Sequence, residues 1–151
     1  MNDHIKEQIE VLNQQVKELT GIYHESAVKF GISDNEFWVW YSLLILEGEY
    51  SQQDICDLWT LPKQTVNSVV SNLIKKGFVL LEKVPGTRNR KIIRLTEAGR
   101  NFGETVVLHI YNAEHRTIEK LSDEERQTCI ALLGKYINLL REEIHESASY
   151  L

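Results

Sequence analysis

Residues 61–76 hold the side chains best suited to chemistry, because polar groups recur there on one face of a predicted helix. Apart from two lysines they are uncharged, and almost no acid competes with them: Lys63, Gln64, Thr65, Asn67, Ser68, Ser71 and Lys75. Side chains of this kind can hydrogen-bond to base edges in a DNA major groove. Gln, Asn and Ser suit adenine or mixed sites, and no arginine stands on this face for a bidentate guanine contact. A solvated helix surface is the alternative interpretation.

A basic turn follows this helix and favours the first interpretation. Residues 78–81 and 92–95 are predicted strands, and residues 84–91 join them with a Pro85-Gly86 turn. The side chains at the tip are Arg88, Asn89, Arg90 and Lys91. An arginine on such a ribbon can enter a DNA minor groove, which is narrow and strongly negative. We therefore expect the helix and the ribbon to act together on a duplex.

The elements that must position these residues are two short helices. Ser51 is predicted to cap the first, from Gln52 to about Trp59, with Asp54 favouring its N-terminus. Ser51 and Gln52 are also predicted DNA contacts. The second helix carries an apolar stripe that should face the core: Val66, Val69, Val70, Leu73 and Ile74. Helix, turn, helix and basic ribbon together predict a winged helix-turn-helix.

The ends of the second helix are also predicted from its sequence. Thr60 is its expected N-cap, Pro62 is expected in its first turn, and Gly77 should end it at the C′ position.

The charge of the chain is unevenly distributed. Residues 60–100 contain nine Lys or Arg and two Glu, a net charge of +7, so the remainder carries −12 of the total of −5. Because phosphate affinity depends on local cation density, this separation favours DNA binding despite the acidic total. The acidic remainder is expected to lie away from the duplex.

Composition limits the class of protein. The chain has 151 residues, 42% of them hydrophobic and 26% charged, which fits one globular domain or a small domain plus an oligomerisation element. No run approaches the roughly 18 apolar residues of a membrane span, and the charged N-terminus is unlike a signal peptide. Cys56 and Cys129 give neither a disulfide framework nor metal-ligand spacing. We therefore expect a cytoplasmic protein.

Long amphipathic helices flank the predicted winged helix. Residues 3–30 form a heptad seam: Ile5, Ile9, Leu12, Val16, Leu19, Tyr23, Ser26 and Phe30. About 28 helical residues would span roughly 40 Å, more than a small domain needs for its own core. Gly31 should end this helix, and Ser33 with Glu36 should cap the next. That next helix, residues 34–47, is apolar almost all round, so it should be a buried hub.

The C-terminal third repeats the pattern of the first helix. Thr96 is predicted to cap a helix to about Leu121, and Ser122 with Glu125 should open a last helix to about Ser149. The last seam is Ile130, Leu133, Ile137, Leu140 and Ile144. This is more apolar surface than one winged helix can cover, so we predict a symmetric homodimer. Two reading helices about 34 Å apart would then face one side of the duplex.

The segments LPKQTVNSVVSNLIKKGFV and IIRLTEAGR, in this order of helices, resemble the MarR family of transcriptional regulators. The resemblance implies a mainly α fold with a small β-ribbon. A winged helix-turn-helix at 34–97 would be embedded between dimerisation helices at 1–32 and 98–151. It further implies a homodimer that binds a pseudo-palindromic double-stranded DNA operator, usually as a repressor released by a small aromatic effector.

The resemblance also assigns roles to residues. The recognition-helix contacts are Lys63, Gln64, Thr65, Asn67, Ser68 and Ser71, and the wing arginine is Arg88, with Arg90 and Lys91 beside it. The wing departs from the family pattern, because Val84 replaces an Asp and Gly86-Thr87 replace an Arg-Asp pair. The acid that would orient the wing arginine is therefore missing. Either Thr87 supplies a weaker hydrogen bond, or the wing is looser.

A group of aromatic residues is predicted to line an effector pocket. The alternative is that these residues only pack in the hydrophobic core. The members of the group are Tyr23, His24, Trp38, Tyr41 and Trp59, with Trp40 as a further aromatic neighbour. His109 and His115 fall on different faces of one helix, which argues against a metal site. Nothing resembles a catalytic set or a cofactor-binding loop, so no enzyme activity is expected.

Two other functions stay open. Cys56 and Cys129 could make a redox-sensing regulator, although burial as small hydrophobes is the expected role of both. A winged helix can also serve as a protein-interaction module without DNA binding.

Overall fold

The computed structural model describes residues 2–149 and divides into two compact units, Met1–Tyr111 and Asn112–Leu151. The elements follow in chain order as α1 (Asp3–Lys29), α2 (Asp34–Leu44), α3 (Gln52–Trp59), α4 (Lys63–Lys75), β1 (Val79–Lys83), β2 (Lys91–Leu95), α5 (Glu97–Glu119) and α6 (Asp123–Ala148). The predicted order of helices and ribbon is therefore confirmed. The first unit contains the winged helix, and the second contains the end of α5 and all of α6.

Local sequence signals fix most helix ends. α3 and α6 both open with capping boxes, formed by Ser51 with Asp54 and by Ser122 with Glu125. α4 ends at Gly77, whose φ of 74° lies in the left-handed region that favours glycine. The Gly77 amide donates to the Ile74 carbonyl and the next amide donates to the Leu73 carbonyl, the pattern of a Schellman motif. The predicted capping roles of Ser51, Asp54, Ser122 and Glu125 and the predicted end of α4 at Gly77 are confirmed.

The turn between α3 and α4 differs from the prediction. Thr60 does not cap α4: it ends α3 in a left-handed conformation with φ of 54°. Pro62 is the N-cap of α4 and supplies no side-chain hydrogen bond, so the prediction that it lies in the first turn was also wrong. The reason is steric, since a residue that precedes proline is disfavoured from helical geometry. Leu61 therefore stays outside α4, and the helix begins at Lys63.

α2 is the hub of the first unit. Phe37, Val39 and Trp40 are buried, and α2 packs against α1, α3, α4 and β2. The prediction of complete burial holds for one side only, because Trp38 and Tyr41 are half-buried. α2 thus joins the first long helix to the helix-turn-helix within this unit.

The ribbon is an antiparallel pair whose register runs from Val79 opposite Leu95 to Lys83 opposite Lys91. A further bond ties it to the helix-turn-helix, as the Ile93 amide donates to the Tyr50 carbonyl at 2.9 Å. Thr96 caps α5 as predicted, since its Oγ1 accepts from the Gly99 amide at 3.0 Å.

Apolar seams on α1 and α6 are exposed in the single chain. Five members of the predicted α1 seam are 42–55% exposed: Ile5, Ile9, Leu12, Val16 and Leu19. The last three members of that predicted seam are covered within the chain, since Ser26 is buried and Tyr23 and Phe30 are half-buried. No residue of α6 is buried, and its seam is exposed throughout: Ile130, Leu133, Ile137, Leu140 and Ile144. Cys129 is also exposed, so the expectation that it is buried was wrong for the single chain. Among residues 2–149, no helix is long and apolar enough to cross a membrane.

Candidate nucleic-acid interface

α4 has one buried face and one polar face. Val66, Val70 and Leu73 are fully buried against the core, which aims the opposite side chains at solvent. Lys63, Gln64, Asn67 and Ser68 are exposed, and Thr65 and Ser71 are half-exposed. The stripe is narrower than predicted, because Val69 is half-buried and Ile74 is 41% exposed. The exposed side of α4 is therefore a surface of hydrogen-bond donors and acceptors, one helix wide. A DNA major groove can admit a helix of this width.

The tip of the wing begins with a type II turn. The Thr87 amide donates to the Val84 carbonyl at 3.3 Å, and Gly86, the third residue of the turn, has φ of 79°. The Thr87 hydroxyl donates to the same carbonyl at 2.8 Å. Its proton therefore holds the turn. The Thr87 oxygen accepts no hydrogen bond from Arg88 within residues 2–149, so Thr87 does not orient that arginine here.

The cations of the ribbon divide into paired and unpaired groups. Arg90 Nη2 lies 2.7 Å from Asp54 Oδ2, and Arg94 bonds Glu49 at 2.7 Å and Glu82 at 2.8 Å. Arg88 and Lys91 form no ion pair with any residue between 2 and 149, and both are exposed, as is Asn89. Lys83, opposite Lys91 in the ribbon, is likewise exposed and without an ion pair in the described part of the chain, so three cations of the ribbon are free to meet phosphates.

Asp54 connects the wing to the start of α3. Its Oδ2 accepts from the Ser51 amide at 2.8 Å as well as from Arg90. The pKa of the Asp54 carboxyl is lowered, first by the Arg90 hydrogen bond and then by the Ser51 amide. Sequence reasoning assigned Asp54 to the helix cap and missed its bond to the wing. The cap signal gave its place on α3 but no sign of the partner.

Ser51 and Gln52, predicted contacts at the start of α3, have different surroundings. Ser51 is 8% exposed, and its hydroxyl accepts from the Asp54 amide at 3.1 Å. Gln52 is half-exposed. Ser51 therefore acts on the helix end and on Asp54, and Gln52 is the more accessible of the two.

The residues predicted to line an effector pocket lie together in the first unit, but they do not all line the same cavity. A cavity of about 150 Å³ is bounded by Thr20, Tyr23, Asp34, Phe37 and Trp38. Trp59 packs against Trp38 with ring centroids 4.6 Å apart and the rings tilted by 33°, and Tyr41 packs on both tryptophans. The Trp59 indole N–H donates to Ser42 Oγ at 2.6 Å. His24 lies beside the cavity, where its Nδ1 is 2.9 Å from Asp34 Oδ1.

The cysteines have contrasting environments. Cys56 is 6% exposed, and burial followed by the negative charge of Asp57 raises the pKa of its thiol. A raised pKa leaves less thiolate, the reactive form, at neutral pH. Cys129 is exposed on α6. Among residues 2–149, His, Cys, Asp and Glu side chains form no group of three able to hold a metal ion.

Comparison with known proteins shows that the chain shares its fold with transcriptional regulators. The family described as sugar-specific transcriptional regulator TrmB matches residues 27–98, just under half of the chain. No curated protein sequence matches the chain.

Several solved structures match over nearly their whole length. NMB1585, a MarR family regulator from Neisseria meningitidis, shares 22% identity with a TM-score of 0.80, over 93% of this chain and 98% of that one. A Staphylococcus aureus MepR–DNA complex shares 22% identity with a TM-score of 0.63, over 87% and 96%. Staphylococcus aureus MarR in complex with salicylate and kanamycin shares 15% identity with a TM-score of 0.66, over 94% and 95%. The resemblance seen in the sequence is thus confirmed in three dimensions, and the chain has the winged-helix fold of MarR family regulators.

Proposed function

We propose that this protein is a dimeric, sequence-specific DNA-binding regulator of transcription that acts in the cytoplasm. The observation that carries the proposal is the polarity of α4, whose apolar side is fully buried while Lys63, Gln64 and Asn67 are exposed. A polar helix face displayed by a rigid core, with a basic ribbon beside it, is the arrangement that reads a major groove. The MepR–DNA complex supports this, since a protein of the same fold binds a duplex.

The wing supplies the second contact in this proposal. Arg88 and Lys91 would meet phosphates or the minor groove, while Arg90 holds the wing against α3 through Asp54. The protein would then read bases with α4 and gain affinity and register from the wing.

The exposed seams of α1 and α6 support a homodimer. An apolar face of this length exposed to water is unfavourable, and a second copy can cover it with the same face. The dimer would present two reading helices to a pseudo-palindromic operator. Repression is the simplest outcome, because a dimer on an operator can exclude the transcription machinery.

Release would come from a small effector that binds near the aromatic group. An effector lowers operator affinity only to the extent that it prefers the conformation with wrongly spaced reading helices. The salicylate in the Staphylococcus aureus MarR structure supports a ligand site in this fold.

The test is selection of bound fragments from the source genome, followed by titration of the selected duplex at several salt concentrations. We expect a two-fold related sequence and a logarithmic affinity that falls linearly with the logarithm of salt. A chain that selects no sequence and binds every duplex equally weakly would contradict the proposal and favour the protein-interaction module.

A further inference from the structure

The cavity between α1 and α2 has a composition that points to one class of ligand. Its walls are Tyr23, Phe37 and Trp38, with Asp34 and Thr20 at the edge. We propose that this cavity binds a small organic cation of the quaternary ammonium kind. Its role as the effector of transcriptional release rests on the proposed function, whereas the binding itself does not.

The aromatic rings make a lining with several orientations. Trp38 lies 5.1 Å from Phe37 in an edge-to-face arrangement and 5.2 Å from Tyr23 with the rings tilted by 40°. Tyr23 and Phe37 are 6.1 Å apart and tilted by 57°. Tyr23 and Trp38 are half-buried and offer accessible ring surface to the cavity, whereas Phe37 is 1% exposed and packs behind them. Aromatic faces carry negative quadrupole density, which attracts a cation that has been stripped of water.

Asp34 supplies the only full charge among the residues that line the cavity. Its carboxylate accepts from His24 Nδ1 at 2.9 and 3.1 Å, and its side chain is 54% exposed. The carboxylate is therefore oriented by a neighbour and still open to a ligand. A cation is attracted by this charge, whereas a carboxylate or phenolate ligand such as salicylate is repelled by it.

The volume selects the size of the ligand. About 150 Å³ is close to the space that holds one benzene-sized molecule, and it is well below the 300–1,000 Å³ typical of drug-sized sites. Tetramethylammonium and choline have the appropriate bulk and place methyl groups, not hydrogen-bond donors, against the rings. The volume of the cavity and the chemistry of its lining thus both favour a small quaternary ammonium ligand.

Occupancy would act on the helix-turn-helix through Trp38. This ring packs against Trp59, the last residue of α3, with centroids 4.6 Å apart and the rings tilted by 33°. The Trp59 indole is held by Ser42 of α2 at 2.6 Å. A ligand that moves Trp38 therefore displaces a ring packed directly on the first helix of the DNA-reading motif.

The experiment is calorimetric titration of the full chain, without DNA, with three ligands: choline, its neutral carbon isostere 3,3-dimethylbutan-1-ol, and salicylate. We expect choline to bind about tenfold or more tightly than either of the others. Asp34→Asn should weaken choline binding by about tenfold and leave binding of the neutral isostere unchanged. Asp3→Asn removes the same charge from the first turn of α1. It should change neither the binding of choline nor the binding of the isostere.

Stronger binding of salicylate, equal binding of choline and its isostere, or an unaltered Asp34→Asn protein would each overturn the cation site. The ligand comparison uses the parent protein, so it decides the question even if a variant folds poorly. Operator binding is measured separately on the parent protein without any cation. A chain that binds choline but no duplex contradicts the proposed function alone, and one that binds a duplex but prefers salicylate contradicts the cation site alone.

Discussion

Arg90 in the wing and Asp54 in α3 are 36 residues apart in the chain, yet their side chains meet at 2.7 Å. The same Asp54 oxygen accepts the amide of Ser51, so one carboxylate holds both the start of α3 and the base of the wing. The wing arginine Arg88 thus stays without an acidic partner among residues 2–149, and the acid on the helix-turn-helix holds Arg90 instead. The wing is anchored to the element beside which it must work.

Asp54→Asn should destabilise the protein in a pH-dependent way. The carboxyl has a pKa below its ordinary value of 3.8, so its contribution to stability is complete above that value and is lost as pH falls through the folded pKa. We expect the free energy of unfolding to drop by about 1 kcal/mol near neutral pH, the usual cost of a lost cap. Urea unfolding at about pH 7 and about pH 3 measures this, and the difference from the parent should shrink at the lower pH.

Asp57→Asn on the same helix is the matched control, because Asp57 is exposed and, within residues 2–149, accepts a hydrogen bond only from Gln53. Its effect should be within a few tenths of a kcal/mol at either pH. An Asp54→Asn protein as stable as the parent near neutral pH would show that the shared carboxylate is dispensable.

Local signals predicted the helix ends, whereas the Asp54–Arg90 contact was beyond them. Caps such as Ser122 with Glu125 depend on residues three apart, so their chemistry is visible in the sequence. The wing contact depends on the register of the ribbon and on its backbone bond from Ile93 to Tyr50, which no local pattern encodes. Thr60 was misassigned because the restriction on the residue before Pro62 keeps Leu61 outside α4, which leaves Thr60 as the C-cap of α3.

Arg88→Ala and Arg90→Ala should weaken DNA binding for different reasons. Arg88 has no acidic partner among residues 2–149, so its removal should lower the slope of logarithmic affinity against logarithmic salt by about one. Arg90 is paired with Asp54, so Arg90→Ala should cost affinity through a misplaced wing. Asp54→Asn should weaken binding by a similar factor, and the double variant should be no worse than either single one.

Lys135→Ala on α6 removes one exposed charge outside the interface and should leave both affinity and slope unchanged. Fluorescence anisotropy with a selected duplex measures all of these proteins. If Arg88→Ala retains the parental affinity and slope, the wing does not touch phosphate. If the losses of DNA-binding free energy in Arg90→Ala and Asp54→Asn add fully in the double variant, the two residues act independently.

Gln64→Ala and Asn67→Ala should relax base selection. Both side chains are exposed on the polar face of α4, above a fully buried Val66 and Val70. An amide bonded to adenine is worth about 1–3 kcal/mol of discrimination against the wrong base. Repeating the fragment selection should show one degenerate position per half-site for each variant. Gln14→Ala on α1 is the control, and an unaltered sequence preference in both α4 variants would remove them from base reading.

Gly99→Ala should destabilise the fold strongly, which explains the glycine in the LTEAG segment. A methyl group there would collide with the backbone carbonyl of Phe78, a group that cannot swing away. We expect a loss of about 1–3 kcal/mol or more by urea unfolding. Gly21→Ala in α1 meets nothing within 4 Å, so it should be neutral or slightly stabilising. Equal unfolding midpoints for the two variants would show that α5 can move away from the end of α4.

Leu12→Lys and Ile137→Lys should dissociate the proposed dimer without unfolding the chain. Their side chains are 42% and 44% exposed in the single chain, so a lysine at either position keeps its charge in water once the subunits separate. In a dimer the same charge would be buried against the partner's apolar seam, at a cost of several kcal/mol. Sedimentation equilibrium should give the parent twice the 17.5 kDa chain mass and the variants a single chain mass.

Gln14→Lys adds the same charge to a polar position on α1 and should leave the dimer intact. Far-UV circular dichroism separates dissociation from loss of helix in every variant. Operator affinity should fall with the dimer, because two half-sites can no longer be held by one particle. A parent chain that sediments as a monomer, or lysine variants that stay dimeric, would mean that the exposed seams of α1 and α6 do not join two copies.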